Sequence, residues 1–188
     1  MKKFTNEVKK LVLAVKRDLD EYLKKDPAAR SRTHVALTSA GYHALFLYRI
    51  SHMLWNLNLF WLAEILHYYT RVAYSIDIHP AAKLEAGVVI DHGIGTVIGS
   101  TASVGSGTLI YHGVTLGSRR VVSGKRHPDI GRDVIIGAGA KILGPIIIGD
   151  RARIGANSVV LEHVPEGQTY VGIPAKSSKK TTRKEVAL

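Results

Sequence analysis

The chain has 188 residues, of which 46% are hydrophobic, enough for one compact unit or for a small domain attached to a repeat array. It contains no cysteine, which excludes disulfide bonds, a thiol nucleophile and a zinc–thiolate site. The net charge is +11, and aromatic residues are not interleaved with the basic ones, so the charge favours attraction of small anions over nucleic-acid binding.

The N-terminus does not have the pattern of a targeting segment. Its first basic residues are followed by polar side chains rather than by an apolar core, which excludes an ordinary signal peptide. The most apolar window, residues 53–70, is interrupted by two asparagines, a glutamate and a histidine, so a buried helix is favoured over a membrane span. We therefore expect a cytoplasmic protein without a membrane segment.

Helical patterns fill an N-terminal domain, residues 1–75. Apolar residues first recur at three- and four-residue spacing along one stripe: Val8, Leu11, Val12, Val15, Leu19, Tyr22 and Leu23. Thr5 is expected to cap this helix, which should end before Asp26-Pro27 because proline disfavours helical geometry in the residue before it. A short helix is expected from Pro27 with Asp26 as its cap, followed by helices over residues 40–57 and 60–74.

Residues 76–176 follow a six-residue repeat. Aliphatic side chains mark its steps: Ile78, Leu84, Ile90, Ile98, Val104, Ile110, Leu116, Ile130, Ile136, Ile142, Ile148, Ile154 and Val160. Ten of the twelve steps are six residues long, one is eight and one is fourteen. A period of six fits neither a helix nor an isolated strand. It is typical of a parallel β-helix, in which each hexapeptide is a short strand and a turn.

The two breaks in the repeat are the first functional clue. The step of eight holds two extra residues around Asp91 and His92. The step of fourteen fits either one skipped rung with two extra residues or a protruding loop at residues 117–129. Each break carries a histidine beside a charged residue, and loops on a rigid scaffold are where binding and catalytic residues concentrate.

The nine histidines favour acid–base chemistry over metal binding. A zinc site would need about three converging imidazoles, and no two histidines have the five-residue spacing of the gamma-type carbonic anhydrases, so no metal site is predicted. General-base catalysis needs a single imidazole oriented by a carboxylate. His92 is the leading candidate, and Asp77 precedes it by fifteen residues, close to the eighteen of one complete coil.

The end of the chain differs in composition from the repeat. The six-residue pattern fades after Val160, and residues 177–188 have no apolar pattern. Residues 176–184 hold five basic side chains and no acidic one. We therefore expect a basic, flexible tail at residues 177–188.

Five segments of the repeat region together resemble serine O-acetyltransferase: residues 76–82 (IDIHPAA), 91–95 (DHGIG), 113–117 (GVTLG), 124–128 (GKRHP) and 136–144 (IGAGAKILG). The likeness extends upstream to residues 26–28 (DPA) and 41–45 (GYHAL). Residues 172–176 (GIPAK) are similar to the motif that closes the coil in many hexapeptide acetyltransferases. The resemblance implies an α+β fold, in which an N-terminal α-helical segment precedes a left-handed parallel β-helix of hexapeptide repeats.

The resemblance also implies the reaction and the residues that carry it. Acetyl would pass from acetyl-CoA to the hydroxyl of L-serine, giving O-acetylserine for cysteine synthesis, without a metal. The implied catalytic residues are His92, Asp77 and His127. The implied serine ligands are Asp26 and Asp91 for the ammonium, and Arg126 and His127 of a neighbouring subunit for the carboxylate. The implied acetyl-CoA contacts are Gly117, Ser118, Ala138, Arg153, Ala156 and Lys176.

By the same resemblance, the partners are further copies of the chain, as a homotrimer or a dimer of trimers, and O-acetylserine sulfhydrylase through the C-terminal tail. Two other functions stay open on the residues alone. An acetyltransferase for a sugar or another small acceptor would keep His92 and the CoA groove but would not need Asp26, Asp91 and Arg126 together. A non-catalytic scaffold would leave the pairing of Asp77 with His92 unexplained.

Overall fold

The computed structural model describes residues 2–178, and its N-terminal part is helical. The helices are α1 Lys2–Lys25, α2 Arg32–Thr38, α3 Ala40–Asn56 and α4 Phe60–Tyr74. The predicted end of the first helix before Asp26-Pro27 is confirmed, as are the helices predicted over residues 40–57 and 60–74, to within one residue. Within residues 2–178, no helix is long and apolar enough to cross a membrane.

Two details of the helix prediction are wrong. Thr5 lies inside α1 and does not cap it, because the helix already begins at Lys2. Pro27 does not start a helix. The Asp26 carboxylate accepts a hydrogen bond from the Ala28 backbone N–H at 2.8 Å, which closes a turn. The next helix begins at Arg32. Ser31 caps it, because the Ser31 hydroxyl accepts a hydrogen bond from the backbone N–H of His34.

A buried ion pair holds the helices against the start of the β-helix. The Arg49 guanidinium of α3 donates to both carboxylate oxygens of Asp18 in α1, each at 3.0 Å. Asp18 in turn accepts from the Gly87 backbone N–H at 2.7 Å, and Arg49 also donates to the carbonyls of Leu84 and Glu85. Three segments distant in sequence therefore meet at one charged pair, which fixes where the helices lie on the coil.

In the described part of the chain, residues 2–178, fifteen short strands follow the helices. In chain order they are β1 Asp77–Ile78, β2 Lys83–Leu84, β3 Val89–Ile90, β4 Val97–Ile98, β5 Ser103–Val104, β6 Leu109–Ile110, β7 Thr115–Gly117, β8 Asp129–Ile130, β9 Ile135–Ile136, β10 Lys141–Leu143, β11 Ile147–Ile148, β12 Arg153–Ile154, β13 Val159–Val160, β14 Thr169–Val171 and β15 Lys176–Ser177. They form three sheets. The first has the order β1-β4-β7-β10-β13, the second β2-β5-β8-β11, and the third β3-β6-β9-β12-β14-β15. All paired strands are parallel except the final hairpin of β14 and β15.

The six-residue repeat places its aliphatic side chains in the core. All thirteen repeat-marking residues are at most 8% exposed, so they stack inside the prism formed by the three sheets. Paired residues of β4 and β7, such as Val97 and Thr115, are eighteen positions apart, which is one turn of three hexapeptides. The predicted parallel β-helix is confirmed.

The strand register also settles the nature of the two breaks. Asp77 pairs with Val97, twenty positions along, because of the two extra residues after β3. Thr115 pairs with Lys141, twenty-six positions along, and β8 follows directly in the second sheet without a skipped rung. The longer break is therefore a loop that leaves the coil at one corner. The segment proposed to contact the sulfhydrylase falls largely on residues 179–188, outside the described residues.

Two corners of the prism carry the candidate functional residues. The His92 corner, between the third and first sheets, comprises residues 91–96, 111–114, 137–140 and 155–158. The loop corner, between the first and second sheets, comprises residues 79–82, 99–102, 118–128 and 144–146. The width of the first sheet separates them. The chain crosses it through β4, from Thr96 to Gly99, which is about 10 Å of extended chain.

Candidate active site

His92 is pushed outward by a tight turn at the first break. Its backbone adopts a left-handed conformation with a φ of 58°, which is uncommon for a residue with a side chain. Gly93 follows with a φ of 78°, and a Cβ atom there would overlap the buried Ile76 side chain. The turn therefore needs glycine at position 93 and leaves the His92 side chain 74% exposed.

A pocket of about 290 Å³ joins His92 to the helical domain. Asp26, Asp91 and His92 all line it, together with residues of α2 and the start of α3. Gly41 of α3 makes this approach possible, because a Cβ atom there would overlap the carbonyl of Ile90. The structure thus brings together the residue expected to act as general base and both carboxylates expected to bind the serine ammonium.

The electrostatics of this pocket suit a cationic group beside a free imidazole. Asp26 and Asp91 supply two carboxylates, and the described lining contains no lysine or arginine. The closest carboxylate oxygen to His92 Nε2 is that of Asp91, at 3.9 Å, too far for a hydrogen bond. The His112 ring stands nearly perpendicular to the His92 ring, with the ring centres 6.0 Å apart.

Asp77 contacts α4 and not His92 of its own chain. Its carboxylate accepts a hydrogen bond from His67 Nε2 at 2.7 Å and lies 3.5 Å from Arg71 Nη1. The His67 hydrogen bond lowers the pKa of Asp77 more than any other interaction does, so this carboxyl is ionised at neutral pH. The pairing with His92 expected from their spacing is therefore absent within one protomer. The reason is that β1 runs beneath α4, whereas His92 lies on an outward turn at the corner.

The loop corner holds His127 as a neutral donor. Its Nδ1 atom accepts hydrogen bonds from the backbone N–H of Thr101 at 3.2 Å and from the Thr101 hydroxyl at 2.8 Å. Burial lowers the pKa of His127, and the positive charges of Arg126 and Lys125 lower it further. With Nδ1 accepting, the single proton of the neutral ring lies on Nε2, where it is available to an acceptor.

Arg126 lies beside His127 and keeps its positive charge uncompensated. Its guanidinium donates to the Ser100 hydroxyl at 3.2 Å and to the Val122 carbonyl at 3.3 Å. In the part of the chain that the structure describes, no carboxylate pairs with it. A guanidinium fork without an acidic partner is suited to a carboxylate or phosphate ligand.

The residues expected to contact acetyl-CoA divide between the same two corners. Ala138 and Ala156 lie in the His92 corner on successive coils, where their small side chains leave the backbone open to a ligand. Ser118 lies in the loop corner, and Gly117 ends β7 at its edge. Arg153 and Lys176 lie nearby in the third sheet, where Lys176 pairs with Glu162 at 3.1 Å.

A metal ion would need several donor side chains that converge on one point. Within residues 2–178, no group of three or more histidine or acidic side chains is arranged to hold one.

Known proteins resemble this chain over most of its length. The family model described as bacterial transferase hexapeptide (six repeats) matches residues 127–162. The serine acetyltransferase of Helicobacter pylori is 48% identical over 162 residues, which are 86% of this chain and 95% of that protein. This chain belongs to the serine acetyltransferase family. The Mycobacterium tuberculosis serine acetyltransferase is 46% identical over 166 residues, 88% of this chain and 72% of its own.

Solved serine acetyltransferases share the fold. The Neisseria gonorrhoeae enzyme in complex with serine matches with a TM-score of 0.86 and 43% identity, over 88% of this chain and 68% of that one. A serine acetyltransferase in complex with CoA matches with a TM-score of 0.87 and 41% identity, over 94% of this chain and 73% of that one. The expected α+β class, with helices before a left-handed parallel β-helix, is confirmed for this serine acetyltransferase.

Two features of the site were not predicted from the sequence. They are His67, which is the histidine that interrupts the apolar window at residues 53–70, and Arg71. Both face Asp77 because α4 ends at Tyr74, and the left-handed conformation of its C-cap Ser75, with a φ of 55°, turns the chain back under the helix. That reversal leaves no periodic signal in the sequence.

Proposed function

We propose that this serine acetyltransferase builds each active site from the His92 corner of one protomer and the loop corner of a neighbour. The reaction itself transfers acetyl from acetyl-CoA to the hydroxyl of L-serine, giving O-acetyl-L-serine and CoA. One observation carries the shared site: the groups suited to ammonium and those suited to carboxylate lie on opposite edges of the first sheet. Within residues 2–178, no hydrogen bond or ion pair joins the two sets in one chain, which supports a site shared between protomers.

A homotrimer, alone or as a dimer of trimers, satisfies this requirement. In a ring of three, the same two surfaces meet at every contact, so each protomer supplies one corner to each neighbour. An exposed apolar face on α4 supports such an assembly. Its residues follow helical spacing and are at least 51% exposed: Trp61, Ile65, Tyr68, Tyr69 and Val72. A contiguous apolar face of this kind is typical of a protein–protein interface.

Serine would be held by its two charges. Asp26 and Asp91 are suited to accept hydrogen bonds from the ammonium, since both carboxylates line one pocket free of cations. The neighbour's Arg126 would grip the carboxylate with its guanidinium fork, and His127 would donate from Nε2. This arrangement leaves the serine hydroxyl directed at the exposed His92 imidazole.

His92 then acts as the general base. It takes the proton from the serine hydroxyl as the oxygen attacks the thioester carbon of acetyl-CoA. The carbon–sulfur bond breaks, and the proton on His92 passes to the departing thiolate. Proton transfer of this kind contributes about 10²- to 10⁴-fold in rate, and holding both substrates in place adds to it. The Asp77 of the neighbouring protomer, next to its loop corner, is suited to orient the imidazole.

The acetyl-CoA arm would run along the groove between protomers. Ala138 and Ala156 of the His92 corner would face Gly117 and Ser118 of the neighbouring loop corner, and these four small residues would let the arm approach the backbone. Arg153 and Lys176 would bind the phosphates of CoA, which is supported by the family resemblance.

Two further expectations are kept as proposals. The C-terminal tail, residues 177–188, is proposed to bind O-acetylserine sulfhydrylase, which is supported by the family resemblance alone. The reaction is proposed to take place in the cytoplasm.

The direct test is a thiol-release assay with acetyl-CoA and a panel of acceptors. We expect CoA release that depends on L-serine and falls by at least about 100-fold in His92→Ala. Because His92 is exposed, this variant should unfold at the wild-type temperature. Preference for a sugar over serine would overturn the substrate, and an unimpaired His92→Ala enzyme would overturn the mechanism.

A further inference from the structure

The contact between His67 and Asp77 is built into the junction of helix and coil. We propose that His67 is a positioning residue, which holds the Asp77 carboxylate in the orientation that the neighbouring protomer's His92 requires. His67 Nε2 and Asp77 Oδ1 are 2.7 Å apart, and their side chains are only 17% and 27% exposed. The inference rests on the shared site proposed above, because Asp77 does not meet His92 within one chain.

The helix brackets the carboxylate from one side. Arg71 follows His67 by four residues, so both side chains leave the same face of α4. His67 contacts Oδ1 and Arg71 approaches Oδ2 at 3.5 Å. An ionised carboxylate is an acceptor only, so His67 must carry its proton on Nε2. Both donors thus fix the plane of the carboxylate from the helix side.

The opposite side of Asp77 keeps acceptor capacity. A carboxylate offers about four lone-pair sites, and the protein uses two of them here. The charged and titratable groups that act on Asp77 are His67 and Arg71 of α4 and His79 after β1, and His79 in turn lies near Glu64 and Arg126. Burial lowers the pKa of His79, and its Nδ1 already accepts from the Ala81 backbone. Because the Asp77 side chain is 27% exposed, its remaining lone pairs are open to a neighbour's imidazole N–H.

The test compares His67→Leu with His67→Gln. Leucine removes the donor, whereas glutamine offers an amide N–H at a similar reach. We expect kcat to fall about 10- to 100-fold in His67→Leu, since small misplacements of a catalytic group have effects of that size, with glutamine restoring most of it. The KM for acetyl-CoA should not change. In an Asp77→Asn background, His67→Leu should have little further effect, because residues acting as one unit are not additive.

The pH dependence of kcat/KM distinguishes a positioning role of His67 from a purely structural one. Without the His67 hydrogen bond, Asp77 presents more negative charge to the base. The protonated imidazole is then favoured, and the acid limb of kcat/KM moves to higher pH in His67→Leu. His52→Leu is the matched control, since His52 also joins a helix to the coil, through Nδ1 and the Pro80 carbonyl at 2.7 Å. It should lower Tm without moving the limb.

Three results would overturn the proposal. They are an unchanged kcat in His67→Leu, equal losses in the leucine and glutamine variants, and full additivity with Asp77→Asn. If His67→Leu does not fold, the same comparison and the same cycle are run with His67→Asn, whose amide is too short to reach Asp77. A wild-type enzyme without serine-dependent CoA release would refute the proposed function itself. An active wild type with inactive His92→Ala but unchanged His67→Leu would refute the positioning role alone.

Discussion

The buried ion pair between α1 and α3 gives the sharpest prediction for the fold. Arg49 is 6% exposed and Asp18 is 1% exposed. Arg49→Met would remove the guanidinium from both Asp18 oxygens and from the carbonyls of Leu84 and Glu85. A buried carboxylate left without its cation destabilises a protein by about 3–5 kcal/mol. We expect a loss of that size in the free energy of unfolding, measured by urea denaturation at one fixed protein concentration.

The double variant Asp18→Leu/Arg49→Met separates the lost pair from lost packing. Removing both charges leaves no buried ion, so the double variant should be more stable than Arg49→Met alone. Burial already raises the pKa of Asp18, and losing Arg49 raises it further. A carboxyl whose folded-state pKa lies above its unfolded value loses stability as pH rises, so Arg49→Met should regain stability on acidification. A loss under about 1 kcal/mol, or a double variant no more stable than the single, would refute this reasoning.

Three further predictions concern the site and the assembly. Arg126→Ala should raise KM for serine far more than KM for acetyl-CoA in steady-state assays; the reverse would place Arg126 in the CoA groove. The pKa of Asp77 is lower in the folded protein than in the unfolded chain. Its ionised carboxylate therefore stabilises the fold above the unfolded-state pKa, and this stabilisation is lost as pH falls through the folded-state pKa. Unfolding curves of wild type and Asp77→Asn should therefore converge below about pH 4. Ile65→Asp on the exposed apolar face of α4 should lower the mass of the assembly measured by light scattering. Lys16→Asp, at an exposed position of α1 outside that face, should not.

Much of the fold could be predicted because its signals are local. The six-residue period follows from one buried aliphatic in each strand, and every predicted position is buried. Pro27 ends α1 because it restricts the residue before it. The length of the second break left two possibilities open, since a skipped rung and a loop place similar numbers of residues between aliphatics. Only the pairing of β8 with β5 distinguishes them.

The rest of the site depends on contacts that spacing does not encode. The separation of fifteen positions between Asp77 and His92 suggested neighbours on successive coils, but the outward turn at His92 and the overlying α4 separate them. Asp26 was expected to cap a helix and instead closes a turn beside the His92 pocket. Its closeness to Asp91 was reached only through the family resemblance, because no local pattern links a helix end to a coil corner.

Mixing two inactive variants tests the shared active site most directly. His92→Ala removes the general base from one corner, and Arg126→Ala removes the carboxylate ligand from the other. In a mixed assembly, a site is therefore intact only where an Arg126→Ala protomer supplies His92 and its His92→Ala neighbour supplies Arg126. Random co-assembly of equal amounts in a trimer makes about one site in four intact. We predict that the co-expressed mixture recovers about a quarter of wild-type activity at a serine concentration well below the KM of Arg126→Ala, where that variant alone is nearly inactive. Activity no higher than that of the two variants assembled separately would contradict a site formed between protomers.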